Sequence, residues 1–424
     1  MNEKVTVDGN TITITQEVTL GGSMMECEER IRDAVNDVGS IATEHALKQF
    51  DTDGTPLIVA GERWYSKGEL PKKYETPYGT VRVERNVYQR SKGGATLCPM
   101  EDSARVVVTS TPQYARILTY KYARTSARTA CEDLYETTGR KAVPSHMQTL
   151  AEFVGSVVQA KEETWEYELP EMDRPVTTIA LGIDGTCMLQ CDEGWREAMA
   201  GTLSLYDEKG ERMHTIYVGA APEHGKETFY ARMTREIERL QQQYPDARYV
   251  AIADGAKVNW DFLGPHVSVQ ILDFYHATEY VNKASHVAWP DDEQMAQAWT
   301  ADQCHQLKHE PGAATSLLEI MKLLAQKTLP VKIKESLQTS ITYFSNHQHQ
   351  MDYARYSDEG LPIGSGVTES ACKILIKQRL CNAGMRWKSK GASVVLSLRS
   401  LVLSEARWEQ FWNKISCNGV PVLA

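Results

Sequence analysis

The sequence predicts a mixed α/β protein whose central sheet combines three antiparallel strands with two parallel strands. Residues 177–183, 197–206 and 213–220 are typical of consecutive strands, and an Asp-Glu-Lys-Gly turn separates the last two. Two shorter apolar runs, 249–253 and 267–272, each follow a segment with helical periodicity. Because a helical crossover is the usual connection between parallel strands, we expect these two runs to extend the sheet in parallel.

The composition is that of an ordinary soluble protein. The chain has 424 residues, of which 42% are hydrophobic and 24% are charged. The apolar stretch at 392–403 is too short to span a bilayer, and residues 1–10 lack the apolar core of a secretory signal. Nine cysteines without a CxxC pair argue against a disulfide framework and against a zinc ribbon. We therefore expect a cytoplasmic protein of two or three domains with no membrane partner.

The N-terminal region, residues 1–105, is predicted to mix strands and helix. Residues 5–14 are typical of a hairpin that turns at Asp8-Gly9, and residues 24–49 have apolar side chains at helical spacing. Residues 56–89 alternate between apolar and charged side chains, as half-buried strands do.

Residues 106–168 are predicted to be helical and to bind DNA. Pro112 marks a helix start, the segment 137–140 contains a glycine that breaks the helical pattern, and Ser145 is placed to cap a second helix. A helix, a glycine-containing turn and a second helix make this segment a helix-turn-helix candidate. The alternative is a small helical domain that has such a turn for structural reasons only.

The charge distribution points to a nucleic acid more clearly than the total does. The chain has 46 Lys and Arg against 56 Asp and Glu, a net charge of −10, which argues against nonspecific DNA binding. Residues 103–130 and 372–391, however, contain no acidic residue, although ordinary solvated helix faces would explain this as well. The candidate DNA contacts in these windows are Arg116, Lys121, Arg124, Arg128, Lys373, Lys377, Arg386, Trp387 and Lys388. Trp387 would stack on a base, or else belong to the core.

The second half of the chain is predicted to hold one core interrupted by helices. Three antiparallel strands followed by two crossover-connected strands is the order of a ribonuclease H-like sheet, and residues 176–278 are expected to form its first part. Residues 279–360 are predicted to be an all-helical insertion, and residues 361–404 the second part of the core. A C-terminal helix is expected within residues 405–424.

Three carboxylates are the candidate functional residues. Asp184 and Asp254 each stand at a predicted strand end before a glycine, where α/β sheets place ligand sites and where glycine permits a sharp exit. Glu369 lies in the first turn of the helix that follows Gly364-Ser-Gly. Taken singly, the aspartates are compatible with simple Asp-Gly turns, and Glu369 with a favourable charge at a helix N-terminus.

Taken together, the three acids predict a divalent metal site. Three carboxylates at one edge cannot all stay ionised without a cation, so Asp184, Asp254 and Glu369 are expected to bind two Mg²⁺ or Mn²⁺ ions, roughly 3.5–4 Å apart at a scissile phosphate. Lys373 follows Glu369 by one helical turn and is a candidate phosphate contact, or merely an ion-pair partner. His276 follows a strand end and is expected either to contact the substrate phosphate or to be an ordinary hydrogen-bonded histidine.

Several segments of this chain resemble the ISKra family of bacterial insertion-sequence transposases, which are of the DDE type. The most specific are Ile363-Gly-Ser-Gly-Val-Thr-Glu369-Ser and Gly384-Met-Arg-Trp-Lys388. Others are Tyr74-Glu-Thr-Pro-Tyr-Gly-Thr-Val, Thr111-Pro-Gln-Tyr-Ala, Gly182-Ile-Asp184-Gly-Thr, Ala253-Asp254-Gly and Leu272-Asp-Phe-Tyr-His276. The resemblance implies Asp184, Asp254 and Glu369 as the catalytic triad, a ribonuclease H-like core, and an all-helical insertion before the glutamate-bearing helix.

The activity expected from this resemblance is DNA transposition. The enzyme would cleave DNA at the ends of its element and join the freed 3′-hydroxyl to target DNA, close to the bacterial nucleoid. Because two element ends must be held together, a homodimer or a higher homo-oligomer is expected. The alternatives are a nuclease on the same core that hydrolyses without joining, and a DNA-binding derivative that has no catalytic activity.

Overall fold

The computed structural model describes residues 4–162, 164–327 and 330–419, and the chain divides into two compact units. The first unit is Met1–Glu168 together with Arg407–Ala424, and the second is Leu169–Ala406. The predicted segments 1–105, 106–168 and 405–424 thus belong essentially to the first unit, and those from 176 to 404 to the second. Residues 1–3 and 420–424, at the outer ends of the first and last predicted segments, lie outside the described residues.

The first unit opens with strands and one long helix. Ser23 caps the helix in a reciprocal arrangement with Glu26, which explains why the helix begins there. Leu47 from this helix packs with Tyr74 and Val83 of the following antiparallel sheet. The elements are β1 (Lys4–Asp8), β2 (Thr11–Thr15), α1 (Met24–Lys48), β3 (Leu57–Val59), β4 (Glu62–Glu75), β5 (Thr80–Arg90), β6 (Thr96–Leu97) and α2 (Pro99–Ser103).

Three helices follow, α3 (Pro112–Arg124), α4 (Ala127–Thr138) and α5 (Pro144–Lys161). The predicted break at 137–140 is confirmed, because Gly139 ends α4 in the left-handed conformation with φ +69°. A second break was not predicted from the sequence. The Ser126 side chain accepts a hydrogen bond from the Thr129 N–H and thereby starts a new helix.

The second unit is built on a five-stranded mixed sheet. Its strands are β7 (Thr178–Gln190), β8 (Gly194–Tyr206), β9 (Arg212–Ala220), β10 (Arg248–Ala253) and β11 (Val269–Leu272). Their order is β11-β10-β7-β8-β9, with antiparallel pairing from β7 to β9 and parallel pairing of β10 with both β7 and β11. The predicted combination of three antiparallel and two parallel strands is therefore confirmed.

Apolar residues on both faces of this sheet bury it between helices. Alternate residues of β7, such as Ile179 and Leu181, pack with Phe229 and Met233 of α6 (Glu227–Gln243). Ala180, on the opposite face of β7, belongs to a second apolar cluster that is formed mainly by helices. The short α7 (Lys257–Leu263) lies between β10 and β11 in the chain.

The residues described between β11 and Gly360 form no further strand. Their helices are α8 (Phe274–Ala288), α9 (Glu293–His309), α10 (Ala313–Leu324), α11 (Val331–His347) and α12 (Tyr353–Asp358). Buried side chains of α8, α10 and α11, including Val281, Met321 and Phe344, share the apolar cluster of Ala180.

An irregular helix returns the chain to the sheet. It consists of α13 (Gly366–Ala371), a π-helical turn (Cys372–Lys377) and α14 (Gln378–Leu380), and it is followed by α15 (Ser389–Leu403) and α16 (Arg407–Asn418). A π-helical turn contains an extra residue and frees backbone carbonyls. The buried guanidinium of Arg399 on α15 donates hydrogen bonds to two of them, Ile374 O and Leu375 O. Among the helices described, none has both the length and the apolar character to cross a membrane.

Candidate active site

Asp184 lies on β7, and Asp254 is the first residue after the neighbouring parallel strand β10. β7 pairs with β10 from Thr178 opposite Arg248 to Leu181 opposite Ala251. Asp184 and Asp254 each follow the last pair of this register by three residues, so both lie beyond the same end of the β7–β10 pairing. Both side chains are half-buried. The sheet therefore presents two carboxylates at the same edge.

The sequence predicted that the first strand ends at Asp184-Gly185, and this was wrong. β7 continues to Gln190, and its whole length is paired with β8, with Asp184 opposite Ala200. Only the pairing with β10 stops before Asp184. Gly185 lies within the paired strand rather than in a turn, and a Cβ atom there would lie 2.3 Å from the carboxylate of Glu197 on β8, an exposed side chain that would have to move.

The loop after β10 holds Asp254 in place. Its Oδ1 atom accepts hydrogen bonds from the Ala256 N–H and from the Asn259 side chain, both at 3.1 Å. Its main-chain oxygen accepts a hydrogen bond of 2.8 Å from the hydroxyl of Tyr343 on α11. Gly255 has φ +97°, a conformation that favours glycine.

The helix that carries Glu369 lies against the Asp184 face of the sheet. The hydroxyl of Thr368 is 2.8 Å from that of Thr202 on β8, and a Cβ atom on Gly182 would lie 2.0 Å from the same Thr368 hydroxyl. Gly182 and Asp184 share a face of β7 because side chains alternate along a strand. The contact between Thr368 and β7 therefore requires glycine at position 182. This contact brings the helix that carries Glu369 next to Asp184.

The charges of the other two acids act on Asp184. Its Oδ1 accepts a hydrogen bond of 2.7 Å from the Gly185 N–H, and its Oδ2 one of 3.4 Å from the thiol of Cys372. Burial raises the pKa of Asp184, and the negative charges of Asp254 and Glu369 raise it further, against the lowering effect of these hydrogen bonds. Asp184 therefore lies within electrostatic reach of both other predicted acids.

The closest set of potential metal ligands in the described residues is a different one. Single ligand atoms of Asp273, His276 and Glu369 all lie within 4.8 Å of one another. Glu369 is exposed, and its Oε1 atom accepts a hydrogen bond of 2.9 Å from the Ser365 hydroxyl. The structure thus brings Glu369 within ligand distance of Asp273 and His276, whereas the triad with Asp184 and Asp254 is less tightly gathered.

Asp273 is the residue that sequence reasoning missed. It is completely buried, and its carboxylate accepts hydrogen bonds from the Ser365 N–H at 2.9 Å and from His276, through the backbone N–H at 3.1 Å and Nδ1 at 2.8 Å. It therefore ties the start of α8 to the turn before Glu369. An acid at a strand end three residues before a histidine has the spacing of a helix cap, and this signal was available in the sequence.

Asp273 and His276 form an ion pair at neutral pH. The hydrogen bond to Asp273 raises the pKa of His276 to about 9, although burial opposes the shift. Burial alone would raise the pKa of Asp273, but the hydrogen bonds from His276 and Ser365 hold it below its usual value. His276 therefore brings a positive charge close to Glu369.

The cations predicted to bind DNA in the first unit are balanced by nearby acids. Arg116 pairs with Glu409, Lys121 with Asp133 and Arg128 with Glu132. The Arg124 guanidinium lies 4.5 Å from the centre of the Tyr120 ring. Arg116, Lys121 and Arg124 line a cavity of about 590 Å³, together with Asp133, Trp408 and Glu409. Residues 103–130 contain no acidic residue in the sequence, but the fold places acids from outside this range beside their cations.

The cations predicted in the second unit are more exposed. Lys373, Lys377, Arg386 and Lys388 are all exposed. No ion pair joins Lys373 to Glu369 in the described part of the chain; Glu369 belongs to α13, and Lys373 belongs to the π-helical turn that follows it. Trp387 is half-buried, its indole N–H donates to Leu380 O at 3.0 Å, and the Arg379 guanidinium lies 5.1 Å from its ring. Its backbone bonds to Leu189 and Cys191 beside the end of β7, so the predicted base contact would have to use the remaining exposed surface.

In comparisons with known proteins, no family model and no curated protein matches this chain.

Proposed function

We propose that this protein is a DDE-type DNA transposase that cleaves and joins strands at Asp184, Asp254 and Glu369. The observation that carries the proposal is the arrangement of these acids. Asp184 lies on β7, Asp254 follows the adjacent parallel strand β10, and Glu369 is on a helix packed against the Asp184 face. The charges of Asp254 and Glu369 add to the burial that raises the pKa of Asp184. The strand order supports a ribonuclease H-like core, and the motif resemblance to ISKra transposases supports the reaction class.

The donor set fits divalent metal ions. Carboxylate oxygens are the ligands that Mg²⁺ prefers. Burial, and to a smaller extent the charges of Asp254 and Glu369, raise the pKa of Asp184, and a bound cation would favour its charged form. Asp184, Asp254 and Glu369 are the residues that would hold two Mg²⁺ or Mn²⁺ ions. When bound, such ions activate the attacking oxygen and stabilise the leaving oxygen of an in-line displacement at phosphorus.

The surrounding residues orient the carboxylates. Ala256 and Asn259 fix the Asp254 carboxylate, and the Gly185 N–H fixes that of Asp184. Ser365 holds one oxygen of Glu369, and Asp273 holds Ser365 in turn. His276, protonated by its pairing with Asp273, offers a positive charge to the phosphate of the substrate.

The proposed partners are the DNA of the element ends and the target DNA. The helices α3 and α4 would bind the element ends. Their contacts to the DNA phosphates would be Arg116, Lys121, Arg124 and Arg128. The exposed cations of the second window, from Lys373 to Lys388, would contact the phosphates near the reaction. A homodimer or a higher homo-oligomer would hold two ends in one complex.

The test is cleavage and joining by the purified protein. The substrate is labelled DNA that carries the terminal sequences of the element, incubated with Mg²⁺ or Mn²⁺, and a second substrate has a pre-cut end with a free 3′-hydroxyl. We expect cut strands from the first substrate and joined products from the second. Cleavage without any joined product would instead support the nuclease alternative.

Asp254→Asn is expected to abolish cleavage and to leave DNA binding intact, because it removes one charged ligand from a fixed position. Asp261→Asn is the matched control, since Asp261 is an exposed residue of α7 that pairs with Lys257. Metal-dependent cleavage that survives in the Asp254→Asn protein would refute the site assignment.

A further inference from the structure

The face of α8 that begins at the candidate active site carries an aromatic and a basic side chain. His276, Tyr280 and Lys283 are spaced by four and three residues and therefore lie along one side of the helix. The Tyr280 ring stacks on Tyr343 of α11, with the ring centres 3.8 Å apart and the planes 12° from parallel. The Lys283 ammonium lies 4.2 Å from the centre of the Tyr280 ring. We call Tyr280, Lys283 and Tyr343 the aromatic ridge.

The ridge is joined directly to the backbone of Asp254. Tyr343 donates its hydroxyl hydrogen bond to the main-chain oxygen of Asp254. Burial raises the pKa of Tyr280, and the charges of Glu279 and Asp254 raise it further, so the ring lies within the electrostatic reach of the site. The ridge thus continues the active site along α8 rather than forming a separate surface.

On the basis of the function proposed above, we infer that the aromatic ridge binds unpaired DNA next to the scissile phosphate. Proteins bind single strands by combining positive charge that follows the backbone with aromatic rings on which bases stack. Here Tyr280 is the stacking ring and Lys283 is the cation that contacts the DNA backbone, and both lie on the side of α8 that begins at His276, next to Glu369.

The two faces of the Tyr280 ring explain how a base is accommodated. Tyr343 fills one face, so the Lys283 ammonium must cover the other. Lys283 is an exposed, long side chain, and its ammonium can leave the ring to a base and pair with the adjacent phosphate. Because the base faces of a duplex are already stacked on one another, this exchange favours an unpaired strand.

Glu279, an exposed acid one residue before Tyr280, opposes the binding. Its negative charge acts on both His276 and Tyr280. It therefore provides a matched test on the same turn of helix, because its neutralisation and that of Lys283 should change affinity in opposite directions.

The test measures binding of a short fluorescein-labelled oligothymidine by fluorescence anisotropy, without divalent metal, so that no strand is cut. We expect Tyr280→Leu to weaken binding about tenfold and Tyr280→Phe to leave it unchanged, because phenylalanine retains the stacking ring. Lys283→Gln should reduce the slope of log affinity against log salt concentration by about 0.7, and Glu279→Gln should tighten binding. A fully paired duplex should respond little to Tyr280→Leu.

Two results would overturn the inference. One is a folded Tyr280→Leu protein that binds oligothymidine as tightly as the wild type. The other is an unchanged salt slope in Lys283→Gln, whose exposed side chain can be replaced without disturbing the core. Either result can occur while the wild type still cleaves and Asp254→Asn does not, so failure of the ridge is distinguishable from failure of the proposed function.

Discussion

The three carboxylates of the second unit and the cations around the cavity of the first unit differ in how their charges are balanced. Around the cavity, Arg116 and Lys121 each have an acid from a neighbouring helix as partner. At the sheet edge, by contrast, the charges of Asp254 and Glu369 add to the burial that raises the pKa of Asp184. Both sets were predicted from the sequence as functional residues.

This difference identifies the sheet edge as the stronger functional candidate. Like charges gathered at one place cost free energy unless a ligand offsets them, and this supports the cation site that we propose. Ion pairs such as Arg116 with Glu409 need no ligand to account for them, and each contributes about 0–1 kcal/mol to the free energy of unfolding. Substitutions that remove the imbalance of charge at the sheet edge, or create one at the cavity, test this contrast.

The largest effect is expected from Asp184→Asn. This variant should lose cleavage, yet unfold at a higher temperature than the wild type in the absence of divalent ions, because it removes a buried charge repelled by two others. Mg²⁺ at a hundredfold excess over its Kd should stabilise the wild type by about 2.7 kcal/mol and the variant much less. Differential scanning calorimetry with and without Mg²⁺ measures both effects.

A wild type whose unfolding temperature is unaffected by Mg²⁺ and Mn²⁺ would contradict the metal site. Asp261→Asn serves again as the control, since it changes a charge on the exposed side of α7. Its unfolding temperature should respond to Mg²⁺ as the wild type does.

An intermediate effect is expected from Asp273→Asn, which removes a balanced pair within the active site. The loss of hydrogen bonds to a charged group should cost about 1.5–3 kcal/mol of unfolding free energy. The pKa of His276 should fall from about 9 towards 6.5, as measured by NMR titration of its ring protons.

The pH dependence of this difference has a definite sign. His276 has a raised pKa, so its contribution is complete below pH 6.5 and is lost as the pH rises through about 9. Asp273 has a lowered pKa, so its contribution is complete above its usual 3.8 and is lost in more acidic solution. The difference in unfolding free energy between wild type and variant should therefore be largest between about pH 3.8 and pH 6.5. A difference that grows towards pH 9 would contradict the pairing of Asp273 with His276.

The smallest effect is expected at the cavity of the first unit. Glu409→Gln should free Arg116 and tighten binding to duplex DNA, whereas Arg116→Gln should weaken it and reduce the salt slope by about 0.9. Each variant should change the free energy of unfolding by less than about 1 kcal/mol. If duplex affinity is the same in both variants, the pair is structural only and Arg116 is not a DNA contact.

The sheet was predictable because each of its strands has a local signal. The alternation in β8 and the apolar run of β10 are visible in short windows, and the Asp-Gly pairs marked the positions of both aspartates. The end of β7 was not predictable in this way. Its extension to Gln190 depends on pairing with β8, and Gly185 lies inside that pairing rather than in a turn.

The role of Asp273 was hidden for a different reason. Its carboxylate bonds to the backbone of Ser365, which is 92 residues away along the chain, and no short window contains both partners. The acid partners of Arg116 and Lys121 were missed likewise, because Glu409 comes from the far end of the sequence and Asp133 from the next helix. Local sequence patterns therefore located the three candidate acids and the cations. The residues that orient or neutralise these side chains come from distant segments and could be identified only from the folded structure.

The π-helical turn at Cys372–Lys377 has a consequence for how this protein tolerates change. Its extra residue rotates the residues that follow by about 100° about the helix axis, relative to a regular α-helix. Loss of that residue would therefore change the direction in which Lys377 and the segment leading to Trp387 project. The guanidinium of Arg399 donates hydrogen bonds to the carbonyls of Ile374 and Leu375 and so stabilises the π-helical turn. A single buried side chain on α15 therefore contacts the turn that fixes the relative directions of Glu369, in the first turn of α13, and the cations that follow it.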